Sequence, residues 1–312
     1  MRRYAILIVT LFISCSAIHK AQKSFETGDF ASAVAKCQRT IEQDSLNAEA
    51  HFILGKCYHA QGQLVQAIEA LCKAYEITPE TAVTRSAKTE LIFVRIEYAD
   101  SLFHRQQDAS AKQELNSVLS LDSTNTPALL RLGNYYYERG LLDKSSFYYR
   151  LIAKNDSGRA PATAQLKVIE QRTTKAQQHF VQGNAFYQKY QYRNAVEQFE
   201  EALNNKPDHR DAKYYMALSR GAILYNQRKR TELWDAIEEF GKAMTLKPES
   251  GEAHYYLGLA YEKKNREEFD NAIDEYKRAL EKEPDGWFAR VCQKKVKELT
   301  RKRDILRKFW GK

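Results

Sequence analysis

The chain reads as an all-α solenoid of helix-turn-helix pairs, closed by one further helix at its C-terminal end. Three observations predict this. A short pattern recurs: Leu54-Gly55 with Tyr58, Leu132-Gly133 with Tyr136, and Leu257-Gly258 with Tyr261 share one spacing. A second helix-like run, with small residues at fixed offsets and often a closing Pro, follows the pattern. Ala67, Ala74 and Pro79 mark the first such run; Ala195, Ala202 and Pro207, then Ala236, Ala243 and Pro248, then Ala272, Ala279 and Pro284 mark later ones. Composition agrees: 43% of the 312 residues are hydrophobic, and 13 Gly with 6 Pro leave no room for a long linker.

The spacing has a physical cause. Two helices that approach closely need small residues where their backbones meet. Gly55 with Ala67, Gly183 with Ala195, Ala217 with Ala236, and Gly258 with Ala272 are read as those seats. Leu71, Phe199, Phe240 and Tyr276 then plug the seams. A terminal Pro cannot continue a helix and fixes the turn. One pair cannot bury its own apolar face, so pairs must stack. From Gly55 to Pro79 the pattern resembles the tetratricopeptide repeat (TPR). The resemblance covers nearly all of residues 18–285. It implies a TPR-type solenoid whose first helices line a concave binding groove.

Seven repeats follow in order. The first, 15–46, is degenerate but keeps Gly28-Asp29-Phe30 and Ala33; the second, 47–81, is the cleanest. Residues 82–91 lengthen the approach to a weak third, 92–125, marked by Ala99, Ala111 and Leu115. The fourth, 126–158, keeps Leu132-Gly133 but has Ser145 and Ile152 where Ala is usual. Ser157-Gly158-Arg159-Ala160-Pro161 is the strongest break. Residues 162–175 form an extra helical stretch before the fifth repeat, 176–208. The sixth, 209–250, carries about seven extra residues placed around Asn226–Thr231, and the seventh, 251–285, two near Asn265. Phe288, Val291, Cys292, Val296, Leu299, Leu306 and Phe309 recur at helical spacing and predict a closing helix. The expected organisation is a signal segment 1–14, repeat blocks 15–159 and 160–285, and a basic capping helix 286–312.

Met1-Arg2-Arg3, an apolar run Tyr4–Ile13 and Ser14-Cys15-Ser16 together read as an export signal. Phe12-Ile13-Ser14-Cys15 resembles the bacterial lipoprotein box, although Phe12 departs from the usual Leu. The resemblance implies lipidation at Cys15 and a bacterial-envelope location, facing the periplasm from the outer membrane. Ordinary cleavage near Ala17 and an uncleaved anchor are the alternatives. The net charge of +9 is concentrated: residues 294–312 hold nine Lys and Arg against two acids. Once Arg2 and Arg3 are removed with the signal, the repeat body is neutral, so no body-wide nucleic-acid footprint is expected. Cys37, Cys57, Cys72 and Cys292 form no C-x-x-C pair; Cys37 and Cys57 are read as buried small hydrophobes, with an oxidised pair as the alternative.

No H-E-x-x-H, G-x-S-x-G, G-K-[ST] or paired-Cys metal spacing occurs. The expectation is no enzyme and no cofactor or metal. His51, His179 and His254 share one repeat position and are read as packing residues. Carried onto this chain, the groove positions of the TPR resemblance are Phe52, Lys56 and His59; Ile96, Asp100 and Phe103; Leu130, Asn134 and Tyr137; Phe180, Asn184 and Tyr187; then Tyr214 and Tyr255. Aromatic rings there offer contact area at low entropic cost, and Asn134 and Asn184 are suited to hold a peptide backbone. The basic clamp that some TPR domains use for a terminal carboxylate is incomplete, so chaperone-tail binding is not expected. The reading is a non-catalytic envelope scaffold that holds a partner protein or peptide for envelope assembly, secretion or pilus-type machinery. The alternative is a scaffold that binds anionic lipid or cell-wall polymer through Lys302, Arg303, Arg307 and Lys308.

Overall fold

A computed structural model describes residues 17–77, 81–154, 159–227, 230–264 and 269–310. Among these there are fifteen helices and no strand. Residues 17–26 form α1. Then follow α2 (Phe30–Gln43), α3 (Ala48–Ala60), α4 (Leu64–Ile77), α5 (Ala82–His104), α6 (Asp108–Leu121), α7 (Thr126–Glu138), α8 (Leu142–Ala153), α9 (Arg159–Gln188), α10 (Tyr192–Asn205), α11 (Arg210–Asn226), α12 (Arg230–Leu246), α13 (Gly251–Lys264), α14 (Asp270–Lys282) and α15 (Ala289–Trp310). The chain is all-α and TPR-type: seven helix pairs and a closing helix. It divides into two compact units, the first ending at Tyr135 and taking in Phe147–Thr163, the second comprising Tyr136–Ser146 and Ala164–Lys312.

Local chemistry starts and stops these helices. Side chains of Asp29, Asn47, Thr81 and Asn125 accept from the backbone N–H three residues on, at 3.0–3.1 Å, which satisfies a donor that the first turn leaves unpaired. In the first five repeats the turn between the paired helices uses a left-handed residue seven positions beyond the seat, a glycine in three of them: Gly28 (φ 78°), Gly62 (φ 73°) and Gly140 (φ 69°). Gln106 (φ 58°) and Tyr190 (φ 59°) occupy the same place without the freedom of glycine.

The seats are tight. A Cβ on Gly55 would lie 2.6 Å from Leu71, on Gly183 2.6 Å from Phe199, and on Gly258 2.7 Å from Tyr276. Leu71, Phe199, Phe240 and Tyr276 are fully buried, as their role as plugs requires. In the sixth repeat, however, the residue under Phe240 is Gly221, not Ala217. The expected seat was therefore one helical turn too early. Of the extra residues, four lengthen the start of α11 and three lengthen the start of α12. A four-residue insertion returns a helix nearly to the same face, so the apolar pattern barely registers it. Two other stretches expected as approaches are parts of longer helices. Residues 82–91 belong to the 23-residue α5 and 162–175 to the 30-residue α9, with Pro161 in its first turn, where a missing N–H costs nothing.

In the first unit, Ile18, Ala21, Ala33, Cys37, Ala50, Ile53 and Cys57 form one core. Cys37 and Cys57 are free thiols; burial pushes Cys37 up to about 12 and Cys57 to about 11, so neither is a thiolate at neutral pH. In the second unit a larger core runs from Tyr187 through Phe199, Tyr214, Phe240 and Tyr276 to Phe288, Cys292 and Leu299. Phe288, Cys292 and Leu299 thus seat α15 on α14, while Val291 and Phe309 of the predicted apolar face are exposed, as is Trp310. No described helix is long and apolar enough to cross a membrane. Cys15 and the rest of the expected signal, 1–14, lie outside the described residues, as do Pro79, Ser157, Gly158 and Asn265.

Candidate binding groove

The groove positions expected from sequence divide into those the fold consumes and those it leaves available. In the first unit, the Lys56 ammonium sits 4.3 Å from the centre of Phe25 and 5.6 Å from that of Phe52. His59 lies between Glu90 (2.8 Å) and Glu97 (2.9 Å) of α5. Burial opposes a charge on this ring, but the hydrogen bonds and charges of Glu97 and Glu90 outweigh it, and the His59 pKa is raised. A group whose folded pKa is raised stabilises fully below its unfolded value, near 6.5, and that stability is lost as pH rises through the folded pKa. Stability measured by urea melts should therefore fall over that window, and His59→Gln should flatten the profile. A dependence unchanged by the substitution would contradict the pairing.

Asp100 is bound by Arg131 at 2.6 Å through both its oxygens, and Phe103 stacks on Tyr135. The Asn134 side chain accepts from the Tyr149 hydroxyl. In the second unit, Arg172 lies 5.3 Å from the centre of Tyr137, and Phe180 is wedged among Phe199, His209 and Tyr215. Of the three shared-position histidines His254 is buried while His51 and His179 are partly exposed, and each makes a hydrogen bond. His51 reaches the Ser45 carbonyl (3.1 Å), His179 reaches Gln198 (2.9 Å) and His254 reaches buried Glu275 (2.6 Å).

Two expected positions are corrected. Tyr214 is only 1% exposed, with its hydroxyl 2.7 Å from Ser250 Oγ. The shifted seat explains it: counted from Gly221, Tyr214 falls at the start of its repeat, and Tyr215 turns outward instead. Tyr255 is 9% exposed, stacked on Phe288 and met edge-on by Trp287. It supports the groove from beneath and does not form its surface.

What remains converges. Asn184, Tyr187 and Gln188 of α9, Tyr190 of the α9–α10 turn, Tyr215 of α11, Glu252 and Tyr256 of α13, and Trp287 before α15 line one open cavity of about 320 Å³. First helices of three successive repeats build it. The Tyr187 hydroxyl donates to Glu252 (2.9 Å) and lies 3.3 Å from that of Tyr256, which is 3.4 Å from that of Tyr192. Burial, and then the negative charge of Glu283, raise the Glu252 pKa against hydrogen bonds from Tyr187 and Trp287. Burial likewise holds the Tyr187 and Tyr256 phenols protonated, so they act as donors at neutral pH. Of the cavity wall, only Asn184 and Tyr187 were legible as groove residues. Tyr190 carried one signal, an aromatic at a turn position held by Gly in three other repeats; Trp287 and Glu252 carried none.

The expected basic surface of α15 is largely engaged. Lys302 pairs with Glu298 (2.6 Å), and Arg303 (3.0 Å) and Arg307 (2.9 Å) both reach Asp270 of α14. Lys308 lines a shallow depression with Lys297, Arg301 and Ile305. Among the described residues no cluster of His, Cys, Asp and Glu is arranged to hold a metal ion.

No curated protein matches the chain. Similar solved structures include the TPR domain of P58(IPK), at 15% identity over 93% of this chain and 98% of that one, with a TM-score of 0.39. A tetratricopeptide repeat protein from Parabacteroides merdae is 16% identical over 92% and 98%, with a TM-score of 0.36. The TPR2AB domain of yeast Sti1, in its pHSP90 complex, is 16% identical over 92% and 98%, with a TM-score of 0.33. A family model described as tetratricopeptide repeat matches residues 20–82, 180–220 and 225–286, more than half of the chain. With the seat-and-plug packing of its helix pairs, this establishes that the chain belongs to the tetratricopeptide repeat family.

Proposed function

We propose that the protein is a non-catalytic adaptor that holds a partner protein or peptide in the groove of repeats five to seven. One observation carries this reading: the cavity walled by Asn184, Tyr187, Tyr190, Tyr215, Glu252, Tyr256 and Trp287. Its rim exposes two large rings, Tyr190 at 67% and Trp287 at 58%. Exposed aromatics beside an open cavity are the anatomy of a binding hot spot. Tyr190 also holds its left-handed conformation at a cost of about 1–2 kcal/mol, where three sister turns use Gly and one uses Gln106. Fold stability alone does not favour a Tyr there.

The setting we propose is the bacterial envelope, with Cys15 as the lipid anchor and an assembly, secretion or pilus-type machine as the client. The export-like N-terminal segment supports the location. Metabolic labelling with an alkyne palmitate should tag the wild type and not Cys15→Ser; equal labelling would remove the anchor from the account. The pairing of Arg303 and Arg307 with Asp270 disfavours the lipid or wall-polymer alternative, since those cations already hold α15 to α14. Co-purification from crosslinked envelopes tests the adaptor reading. A stoichiometric protein should follow the tagged wild type and be lost with Tyr190→Gly/Trp287→Ala. Retention by that variant, with loss on truncation before residue 294, would favour the alternative.

A further inference from the structure

The groove has a chemical preference as well as a shape. Five aromatic side chains, Tyr187, Tyr190, Tyr215, Tyr256 and Trp287, surround one carboxylate, Glu252. Among the described residues Glu252 makes no ion pair. Its contacts are hydrogen bonds from Tyr187 and Trp287, and a second carboxylate, Glu283, raises the local negative potential. Lys247, whose positive charge acts on Glu252, is engaged by Asp211 at 2.6 Å. Its ammonium lies 4.6 Å from the centre of Tyr214 and 5.3 Å from that of Tyr215, so this tyrosine cluster already accommodates one cation on its faces.

Aromatic faces attract a cation through their quadrupoles, more strongly where water is excluded, and a half-buried carboxylate gains most from a partner that brings positive charge. Resting on the groove reading above, we propose that this pocket is the specificity subsite of the groove and takes an arginine or lysine side chain of the partner peptide. Its volume suits one such side chain and excludes a folded domain. A phosphate, nucleotide or acidic side chain is excluded by Glu252 and Glu283.

The bland account of Glu252 is that an acid in the first turn of α13 complements the helix dipole. The two accounts differ in what substitution does. A carboxylate whose folded pKa is raised contributes instability above its unfolded value, so Glu252→Gln should leave Tm unchanged or raise it at neutral pH. Under the dipole account Tm should fall. Tyr190→Gly removes a left-handed tyrosine and should also hold or raise Tm.

The test titrates the full-length protein with N-acetyl-arginine methylamide and N-acetyl-lysine methylamide. The readout is Trp287 emission in a Trp234→Phe/Trp310→Phe background. The neutral isosteres are N-acetyl-citrulline and N-acetyl-norleucine methylamides. Saturable quenching is expected from at least one cation, with the neutral compounds at least tenfold weaker. Glu252→Gln should weaken the cation at least tenfold and Tyr190→Gly at least threefold, both without loss of Tm. Binding should also fade as pH drops through the raised Glu252 pKa. The groups facing that carboxylate are Tyr187, Tyr256 and Trp287, then Tyr192 of α10, Tyr214 and Tyr215 of α11, Glu283 and Lys247. Equal binding of citrulline and arginine compounds, insensitivity to Glu252→Gln, or no binding at all would overturn the proposal. Capture of a crosslinked partner that is lost with Trp287→Ala but kept by Glu252→Gln would leave the groove standing and remove only its preference for a cation.

Discussion

Phe240→Ala should destabilise the second unit by about 3–5 kcal/mol, the usual cost of emptying a fully buried phenylalanine site. Phe240 is 0% exposed and plugs the seam between α11 and α12 directly over Gly221. Gly221→Val should be comparably damaging, because a Cβ there collides with the Phe240 ring. The pair should not be additive. Adding Phe240→Leu to Gly221→Val removes part of the clash, so the double variant should recover at least about 1 kcal/mol over additivity in urea melts. Ala217→Ser, at the seat expected from sequence, should show no coupling to Phe240. Coupling at 217 in place of 221 would restore the earlier register and return Tyr214 to the groove.

Tyr190→Gly with Trp287→Ala should reduce partner affinity at least 100-fold, since central aromatic hot spots each contribute about 2 kcal/mol or more when truncated. These two positions are better tests than Tyr187. Tyr187 is 7% exposed and donates to Glu252, so removing it leaves both a cavity and a carboxylate short of a donor. Loss of binding there would not separate contact from collapse. Tyr190 and Trp287 project from the rim, and although Trp287 also donates to Glu252, Tyr187 still supplies that carboxylate with a donor, so the double variant should melt within a few degrees of the wild type. Biolayer interferometry against the purified partner, paired with calorimetry, reads both quantities.

The repeat architecture was legible because close helix approach constrains composition. Gly55, Gly183 and Gly258 lie under Leu71, Phe199 and Tyr276 as the spacing required. Its misplaced seat has a simple cause. An insertion of one whole turn is nearly invisible to helical periodicity, and it moved the sixth seat from Ala217 to Gly221. That slip substituted buried Tyr214 for outward Tyr215. The groove was legible only in part, because repeat positions assign residues to a face but not to a function. Lys56 and His59 lie on the expected face, yet Phe25, Glu90 and Glu97 occupy them. Trp287 lies beyond the last repeat, in the link to α15, where no repeat position points to it. Glu252 reads as an ordinary first-turn acid until Tyr187, sixty-five residues away, is found donating to it.

The central claim is that partners dock at the cavity of repeats five to seven. Site-specific photo-crosslinking in intact producing cells tests it most directly, with p-benzoylphenylalanine at Trp287 and, as a control, at Val181, an exposed position outside that cavity. The account predicts one dominant protein crosslinked from position 287, absent from position 181 and lost when Tyr190→Gly is added. Equal crosslinking from both positions, or crosslinking from 181 alone, would contradict it.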